Sequence, residues 1–397
     1  MKKLGLLVLF FLSIVLLAGC QEAKPTADTF VVEVRDLSGN VLFSEEVIYP
    51  ENTELGLVEL IDEAIDLDYE ISQWGAFIKG IHGHYPKEYG VTYNYYWGLY
   101  VNDVSSMTGL DQVAYEEDMV ISFRESTMLT SLDLEIDAWI ESFIATHITS
   151  YLNENVMSQY VLAALSQLGF YGYTIPDLKT LSYPVFGGSD IASVFKKSLV
   201  MRATDQTITE AMLNDFLALT PNNPYEAVTY LNAFDVLYQT ASHEKRNTVV
   251  SYLQTEEPSY MDADYAGMAL NAVSSVKDSE AGLSIVTAMK AYILDHLSKD
   301  GVVSWGNPNA SSTAAIILGL LAIGEDPRSE MYTVEGTDLI EALMLYAGET
   351  GFKYGLTDTL YDLAFSTPQA FAALVAYKIV RDQLQWSTKQ LNLWVIG

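Results

Sequence analysis

The residues in this 397-residue chain best suited to chemistry are amides, hydroxyls and aromatic rings. The run Trp305-Gly-Asn-Pro-Asn-Ala-Ser-Ser-Thr313 and the run Ser366-Thr-Pro-Gln369 each crowd hydroxyls and carboxamides into a few positions. Ser312, Thr313, Ser366 and Thr367 are natural helix caps, and that role alone accounts for much of their selection. At a helix start they would also present hydroxyls and backbone N–H groups to a ligand. Asn307, Asn309 and Gln369 add side chains that both donate and accept. Tyr225, Tyr265 and Trp305 add flat apolar faces, each with one polar handle, and Asp264 adds a carboxylate beside Tyr265. Such an inventory suits recognition of a neutral molecule. A phosphate-rich ligand would instead call for Arg, Lys or a glycine-rich loop, and no such loop is present. No nucleophile motif with a Ser/His/Asp set stands out, so no catalytic residue is assigned.

A second group lies in Tyr93-Asn-Tyr-Tyr-Trp-Gly-Leu-Tyr-Val101. On a strand, Tyr93, Tyr95, Trp97, Leu99 and Val101 share one face, and Asn94, Tyr96, Gly98 and Tyr100 the other. One face packs on its own core and the other is left for a partner. Which is which stays open, so Tyr96, Trp97 and Tyr100 are all candidate ligand contacts. Tyr also tolerates half-exposure and favours strands, which explains part of the pattern without a ligand. In the loop Gly80-Ile-His-Gly-His-Tyr-Pro86, His82 and His84 are candidate metal ligands. Exposed polar loop residues are the alternative, since no cysteine or visible acidic cluster accompanies them.

These residues sit in a chain with 52 acidic against 21 basic residues and a net charge of −31. Such a surface repels nucleic acid and anionic lipid headgroups. Met1-Lys-Lys3, an apolar run and Leu17-Ala-Gly-Cys20 describe a secretory leader over residues 1–19. Cys20 is the only cysteine, which argues against disulfide, thiolate-zinc and catalytic-thiol roles. Residues 20–29 read as a polar tether. With half the residues hydrophobic, the remaining length can build two domains.

Over residues 30–126 the pattern is hairpin, helix, then strands. Phe30–Val34 and Val41–Ile48 flank a Leu37-Ser-Gly-Asn40 turn. Thr53 is the expected cap of a helix bearing Leu57, Leu60, Ile61, Ala64 and Ile65. Strands follow at Ala76–Lys79, at the aromatic run and at Met119–Phe123. From about residue 130 to 397 the period is helical. Apolar helices are expected to start at Ser158, Asp190, Pro224, Asp264, Ser311 and Thr367, each interval holding one more helix. Segments such as Ser312–Ile323 are apolar all round and read as buried on every side. The fold class is thus multidomain α and β, a small α+β domain followed by a closed double ring of helices or an irregular helical solenoid.

Residues 30–125 resemble the small bacterial surface domain related to the C-terminal β-domain of intrinsic factor and transcobalamin. The resemblance rests on the Leu37-Ser-Gly-Asn40 hairpin, Ile78-Lys-Gly-Ile81, Tyr96-Trp-Gly-Leu-Tyr-Val-Asn102 and Tyr115-Glu-Glu-Asp-Met-Val-Ile-Ser-Phe123. The helical part is similar to the α/α-toroid domain of the same cobalamin carriers, itself related to terpene cyclases. It carries Asp264-Tyr-Ala-Gly-Met-Ala269, the Trp305–Thr313 run and Phe365-Ser-Thr-Pro-Gln-Ala370. Domain order is reversed relative to the animal carriers, and Leu318 stands where some carriers have a ligand-contacting glutamine. Leu-Ala-Gly-Cys resembles the lipobox of bacterial lipoproteins, in which the cysteine is lipidated.

The resemblance implies a β-grasp-like domain, an α/α toroid and a lipid-anchored protein on the extracellular face of a Gram-positive membrane. It further implies a non-enzymatic carrier that binds cobalamin or a related corrinoid between its domains and passes it to an ABC-type uptake system. No cofactor is required, and cobalt ligation by His82 or His84 becomes a specific form of the metal role. A corrinoid is large, fairly flat and rimmed with amides, which suits the inventory above. A surface adhesion protein binding a peptide, glycan or host protein is the alternative. A cyclase is a third reading, weakened because Asp262-Ala-Asp264-Tyr265 lacks the last acid of the class II Asp-x-Asp-Asp motif.

Overall fold

The computed structural model describes residues 28–73, 75–238, 243–256, 261–383 and 389–396. The leader, Cys20 and most of the tether lie outside the described residues. The chain forms two compact units that divide at Met128/Leu129, with Gly90–Thr92 belonging to the second. Twelve α-helices and several small sheets occur among the described residues. None of these helices is long and apolar enough to cross a membrane.

In the first unit, β1 (Asp28–Arg35) and β2 (Val41–Tyr49) form the expected hairpin. Helix α1 (Leu57–Ile65) follows, then β3 (Leu67–Ser72), β4 (Gly75–Ile81), β5 (Tyr95–Val101), β6 (Val104–Ser105) and β7 (Val120–Thr127). The main sheet runs β2-β1-β7-β5-β6, with β1 and β7 parallel and the other neighbours antiparallel. Every second residue of β1 is buried, placing Phe30, Val32 and Val34 against Leu57, Val58 and Ile61 of α1. Two expectations need correction. Thr53 does not cap the helix: its hydroxyl accepts from Leu55 N in a local turn, and α1 begins after Gly56. The strand before β4, Leu67–Ser72, was not foreseen because its outer half is exposed and breaks the alternation.

The second unit is helical. Its long helices are α2 (Ser131–Tyr151), α3 (Gln159–Phe170), α4 (Ile191–Ala203), α5 (Glu210–Ala218), α6 (Pro224–Tyr238) and α7 (Glu244–Thr255). They are followed by α8 (Ala263–Val273), α9 (Glu280–Asp295), α10 (Ala310–Ile323), the short α11 (Leu339–Met344) and α12 (Ser366–Gln383). Short hairpins separate some of them: β8 (Leu152–Asn153) with β9 (Val156–Met157), and β10 (Leu297–Ser298), β11 (Gly301–Ser304) and β12 (Asn307–Pro308). The six expected helix starts all correspond to helices, shifted by no more than one residue. The interval between α3 and α4 departs from expectation, holding only the 3-10 turn Leu178–Thr180.

Contacts run in a cycle: α3 packs on α4, α4 on α6, α6 on α8, α8 on α10, α10 on α12 and α12 on α3. Outside this cycle α2 packs on α12, α7 on α6 and α9, α9 on α8, and α11 on α10. Every residue of α10 is buried, which its all-round apolar sequence required. Helices α8 and α10 meet backbone to backbone. A Cβ on Gly267 would lie 2.2 Å from the carbonyl oxygen of Ala315, and one on Gly319 2.5 Å from that of Gly267.

Helices α2 and α12 are joined by buried charges. Lys378 bonds Asp137 at 3.0 Å and Asp382 at 3.1 Å, Arg381 bonds Asp137 at 3.0 Å, and the Tyr377 hydroxyl donates to Asp133 at 2.8 Å. The last described residues enter the centre of the cycle. Gln167 of α3 donates to the carbonyls of Asn392, Leu393 and Val395. The Asn392 side chain donates to Asp235 at 2.7 Å and Ser274 at 2.9 Å. Leu391, Leu393 and Trp394 are buried there, with Trp394 against Tyr160 and Phe195.

Two measurements check this architecture. Gly267→Ala forces the α8 and α10 backbones apart and should cost about 1–3 kcal/mol or more in chemical denaturation. An unchanged midpoint would refute the close contact. Burial alone would raise the Asp382 carboxyl, but the Arg381 and Lys378 bonds and charges outweigh it and leave it below 3.8; in Asp133 the bonds from Thr130 and Tyr377 and the Arg381 charge likewise prevail. A lowered folded value means stability that is present above pH ~4 and is lost as pH falls through the folded values. The melting temperature should therefore drop as pH falls below about 4, and more shallowly in Asp382→Asn. Parallel pH curves for the two proteins would show that this network does not govern acid unfolding.

Candidate functional site

The N-termini of five helices of the cycle converge. Tyr160, near the start of α3, lies close enough to Asp264 of α8 for that carboxylate to act on its hydroxyl. The Tyr225 hydroxyl of α6 is 3.5 Å from Asp262, and its ring sits 5.1 Å from that of Tyr265. The Ser312 side chain of α10 lies near enough to Asp264 to act on its carboxyl. Ser311 of α10 and Ser366 of α12 share a 3.0 Å hydroxyl contact. The helix C-termini gather elsewhere. Residues of α3, α4 and α6 line a cavity of about 910 Å³, those around Ser274 and Gly324 one of about 570 Å³, and those around Leu321 and Val380 one of about 430 Å³. The six helices are thus parallel. These three cavities flank the C-terminal segment and hold none of the expected ligand residues.

The expected mouth residues divide into two groups. Thr313 and Thr367 are structural. Thr313 Oγ1 accepts from Val302 N at 3.0 Å and donates to Asn309 O at 2.8 Å. Thr367 Oγ1 accepts from Phe352 N at 2.9 Å and donates to Asp362 O at 2.8 Å. In both cases the threonine fastens the preceding hairpin onto the helix. In both, a glycine before the bonded residue makes room: a Cβ on Gly301 or Gly351 would meet the threonine oxygen at 2.5 or 2.7 Å. Ser366 is also fully buried and donates to Asp362 at 2.8 Å.

The capping residues are not the ones expected. Asn309, not Ser312 or Thr313, caps α10 through a 2.9 Å bond to Ser312 N. Asp262, not Asp264, caps α8 through Tyr265 N at 2.8 Å. Asp362 accepts from the amides of Ala364, Phe365 and Ser366 ahead of α12.

The second group carries polar groups with unmet bonding capacity. Asp264 Oδ1, Asn309 Nδ2 and Gln369 Oε1 are buried and have no hydrogen-bond partner. Burial pushes the Asp264 carboxyl above its ordinary value, against the influence of the Ser312 side chain and with the Asp262 charge adding to it. Burial first, then the acids, push the Tyr160 and Tyr225 hydroxyls up to about 12. The loops ahead of α10 and α12 expose large apolar side chains among polar ones such as Thr357, Asp358 and Thr359. Trp305, Tyr354, Leu356, Leu360, Leu363 and Phe365 are all exposed. Trp305 and Gly306 form the two-residue tip between β11 and β12, with φ of +54° and +90°. A tip with positive φ at both positions favours Asn-Gly, and a tryptophan there is strained. Asn307 is exposed beside it. Sequence reasoning missed Tyr160, Asp262, Tyr354 and Asp362. Tyr160 had a signal, since Tyr160, Tyr225 and Tyr265 each stand at the second or third position of their helix.

In the first unit, Trp97 packs in the core with Phe123 and Ile121 and is 9% exposed, and it also contributes to the lining of the groove that holds Tyr96 and Tyr100. Its register partner positions put Tyr96 and Tyr100 on the opposite face. There they line a groove of about 350 Å³ with Phe77, Gly98, Met107 and Ser126. Arg124 lies 4.3 Å from the Tyr100 ring. Tyr93 falls outside β5 and is 88% exposed. His82 stacks on Phe43 at 4.5 Å, and His84 lies 6.4 Å from the same ring. Among the described residues no group of three or more His, Cys, Asp or Glu could hold a metal ion.

No family model matches the sequence, and no curated protein does. One solved structure from Ruminococcus gnavus, described as a "putative metal binding protein", aligns with 26% of this chain and 99% of its own at 13% identity. Its TM-score is 0.22, at which the likeness carries no inference about this chain.

The structural role of the threonines is testable. Thr313→Val and Thr367→Val keep the shape but leave a buried N–H without an acceptor, so each should cost about 1–3 kcal/mol. A loss below a few tenths in denaturant titration would contradict the fastening role.

Proposed function

We propose that this chain is a surface lipoprotein, anchored through Cys20, that captures cobalamin or a related corrinoid for delivery to an ABC-type uptake system. The first unit is read as β-grasp-like, supported by β1 lying between β2 and a parallel β7 with one helix across the sheet. The second is read as an α/α toroid, supported by the cycle of six parallel helices with others packed outside it. Both readings agree with the resemblance to the cobalamin carriers of the intrinsic factor and transcobalamin family.

The observation that carries the reading is the helix mouth: unmet amide and carboxylate groups on its floor and a rim with exposed aromatic and apolar side chains. A flat macrocycle with an amide periphery matches both features, since its faces cover apolar side chains and its edge supplies hydrogen bonds. The Tyr96 and Tyr100 groove offers a further aromatic surface of the same character. The acidic surface does not oppose such a ligand, whose charge is nearly balanced.

Calorimetry or corrin absorbance with the purified mature protein tests this, and no binding of cobalamin or cobinamide at micromolar protein would sink it. Trp305→Asn separates function from folding. It installs the favoured Asn-Gly tip, so the melting temperature should hold or rise. Corrinoid affinity should fall at least about tenfold, about 1.4 kcal/mol. Unchanged affinity would remove Trp305 from the site.

A further inference from the structure

The unmet groups at the mouth have a definite donor and acceptor pattern. Asn309 is 1% exposed, and its Oδ1 is committed to Ser312 N at 2.9 Å. That bond fixes the orientation of the carboxamide and leaves Nδ2 as a donor without a partner. Asp264 Oδ1 and Gln369 Oε1 are acceptors without partners. The three belong to neighbouring helix starts: Ser311 and Ser366 join those of Asn309 and Gln369 at 3.0 Å, and Asp264 lies on α8, which packs on α10. All three atoms are withdrawn from water in this state. A ligand group that reaches them displaces rim side chains, and the unmet hydrogen bonds favour that exchange.

The charge around these atoms is negative. Asp262, Asp264 and Asp362 stand together at the helix starts, and no ion pair among the described residues involves any of them. Five helix N-termini offset part of that charge.

We infer that the mouth selects its ligand by a primary amide, seated with its N–H groups on Asp264 and Gln369 and its carbonyl on Asn309 Nδ2, and rejects a carboxylate at that position. A primary amide is the smallest group that supplies both donors and an acceptor. A carboxylate has no hydrogen to donate. It would leave two buried acceptors unpaired and set a second negative charge beside Asp264. Recognition sites that require a hydrogen bond reject the ligand lacking it far more strongly than apolar sites reject a missing methylene. This inference rests on the corrinoid reading and names which corrinoids qualify: those whose periphery is amidated.

The experiment compares cobalamin with the three monocarboxylic acids made by hydrolysing one of its propionamides each. The ligands differ by one group and one charge. Binding is measured at low and at 0.5 M salt, because the net charge of −31 repels any anion at long range and salt removes that contribution. At least one isomer should bind roughly 100-fold more weakly at both salt concentrations. Asp264→Asn, which supplies a donor and removes the charge, should narrow that gap to within about tenfold. Asp264 is not the cap of its helix, so this variant should fold, and its melting temperature is checked. Gln369→Met serves as a second variant and should weaken cobalamin itself. If all three acids bind within about threefold of cobalamin, the inference falls and corrinoid capture stands. A gap that salt abolishes, or that Asp264→Asn leaves intact, also overturns it. If no corrinoid binds, both readings fall.

Discussion

A ring of parallel helices leaves an axis that something must fill. Here the segment Leu391–Ile396 fills it at one end, and the helical unit depends on how that segment is held. Backbone carbonyls brought into an apolar centre need donors, and the two N–H groups of Gln167 are shared among three of those carbonyls. The Asn392 amide needs acceptors, and Asp235 and Ser274 provide them. Asp235 is in turn paired with the buried Arg246, so the charge does not stand alone. These polar residues lie on α3, α6, α7 and the end of α8. One segment thereby ties together helices far apart in sequence, while Lys378 and Arg381 join α2 to α12.

Filling that end decides what the other can be. Trp394 rests on Tyr160, and Tyr160 lies beside Asp264. The space beneath the helix starts is therefore occupied by protein, and any ligand sits on the mouth rather than deep within the ring. Parallel helices also add their dipoles, which concentrates positive potential where the N-termini meet. Asp262 and Asp362 answer it as caps. Asp264 is not needed as a cap and is raised in pKa by burial, a cost for which the fold alone offers no return.

Much of this was legible in the sequence because helical period and all-round apolarity are strong signals. The six helices of the cycle, the buried α10 and the two-unit division follow from them. The caps were misplaced because Asn309-Ala-Ser-Ser-Thr313 offers several good capping residues in a row, and only geometry chooses among them. Hairpins β8–β9 and β10–β12 are too short to show any alternation. Trp97 and Tyr96 could be told apart only once α1 was known to cover one face of β5. The Asp382 network was invisible because its members are separated by more than two hundred residues.

The mouth residues chosen from sequence were chosen for one reason, their hydrogen-bonding side chains, yet they answer to two. Thr313 and Thr367 repeat the same pair of bonds in two helix starts, each with a glycine cleared for it. A device that recurs where the chain must make the same turn is explained by the turn. Trp305, Asp264 and Gln369 do not recur in this way, and each runs against a local preference: a tryptophan at positive φ, a carboxylate driven from water, a carboxamide with an unmet acceptor. Stability is not improved by any of these, so the contrast with the threonines is what separates the residues that build the mouth from those the fold does not account for.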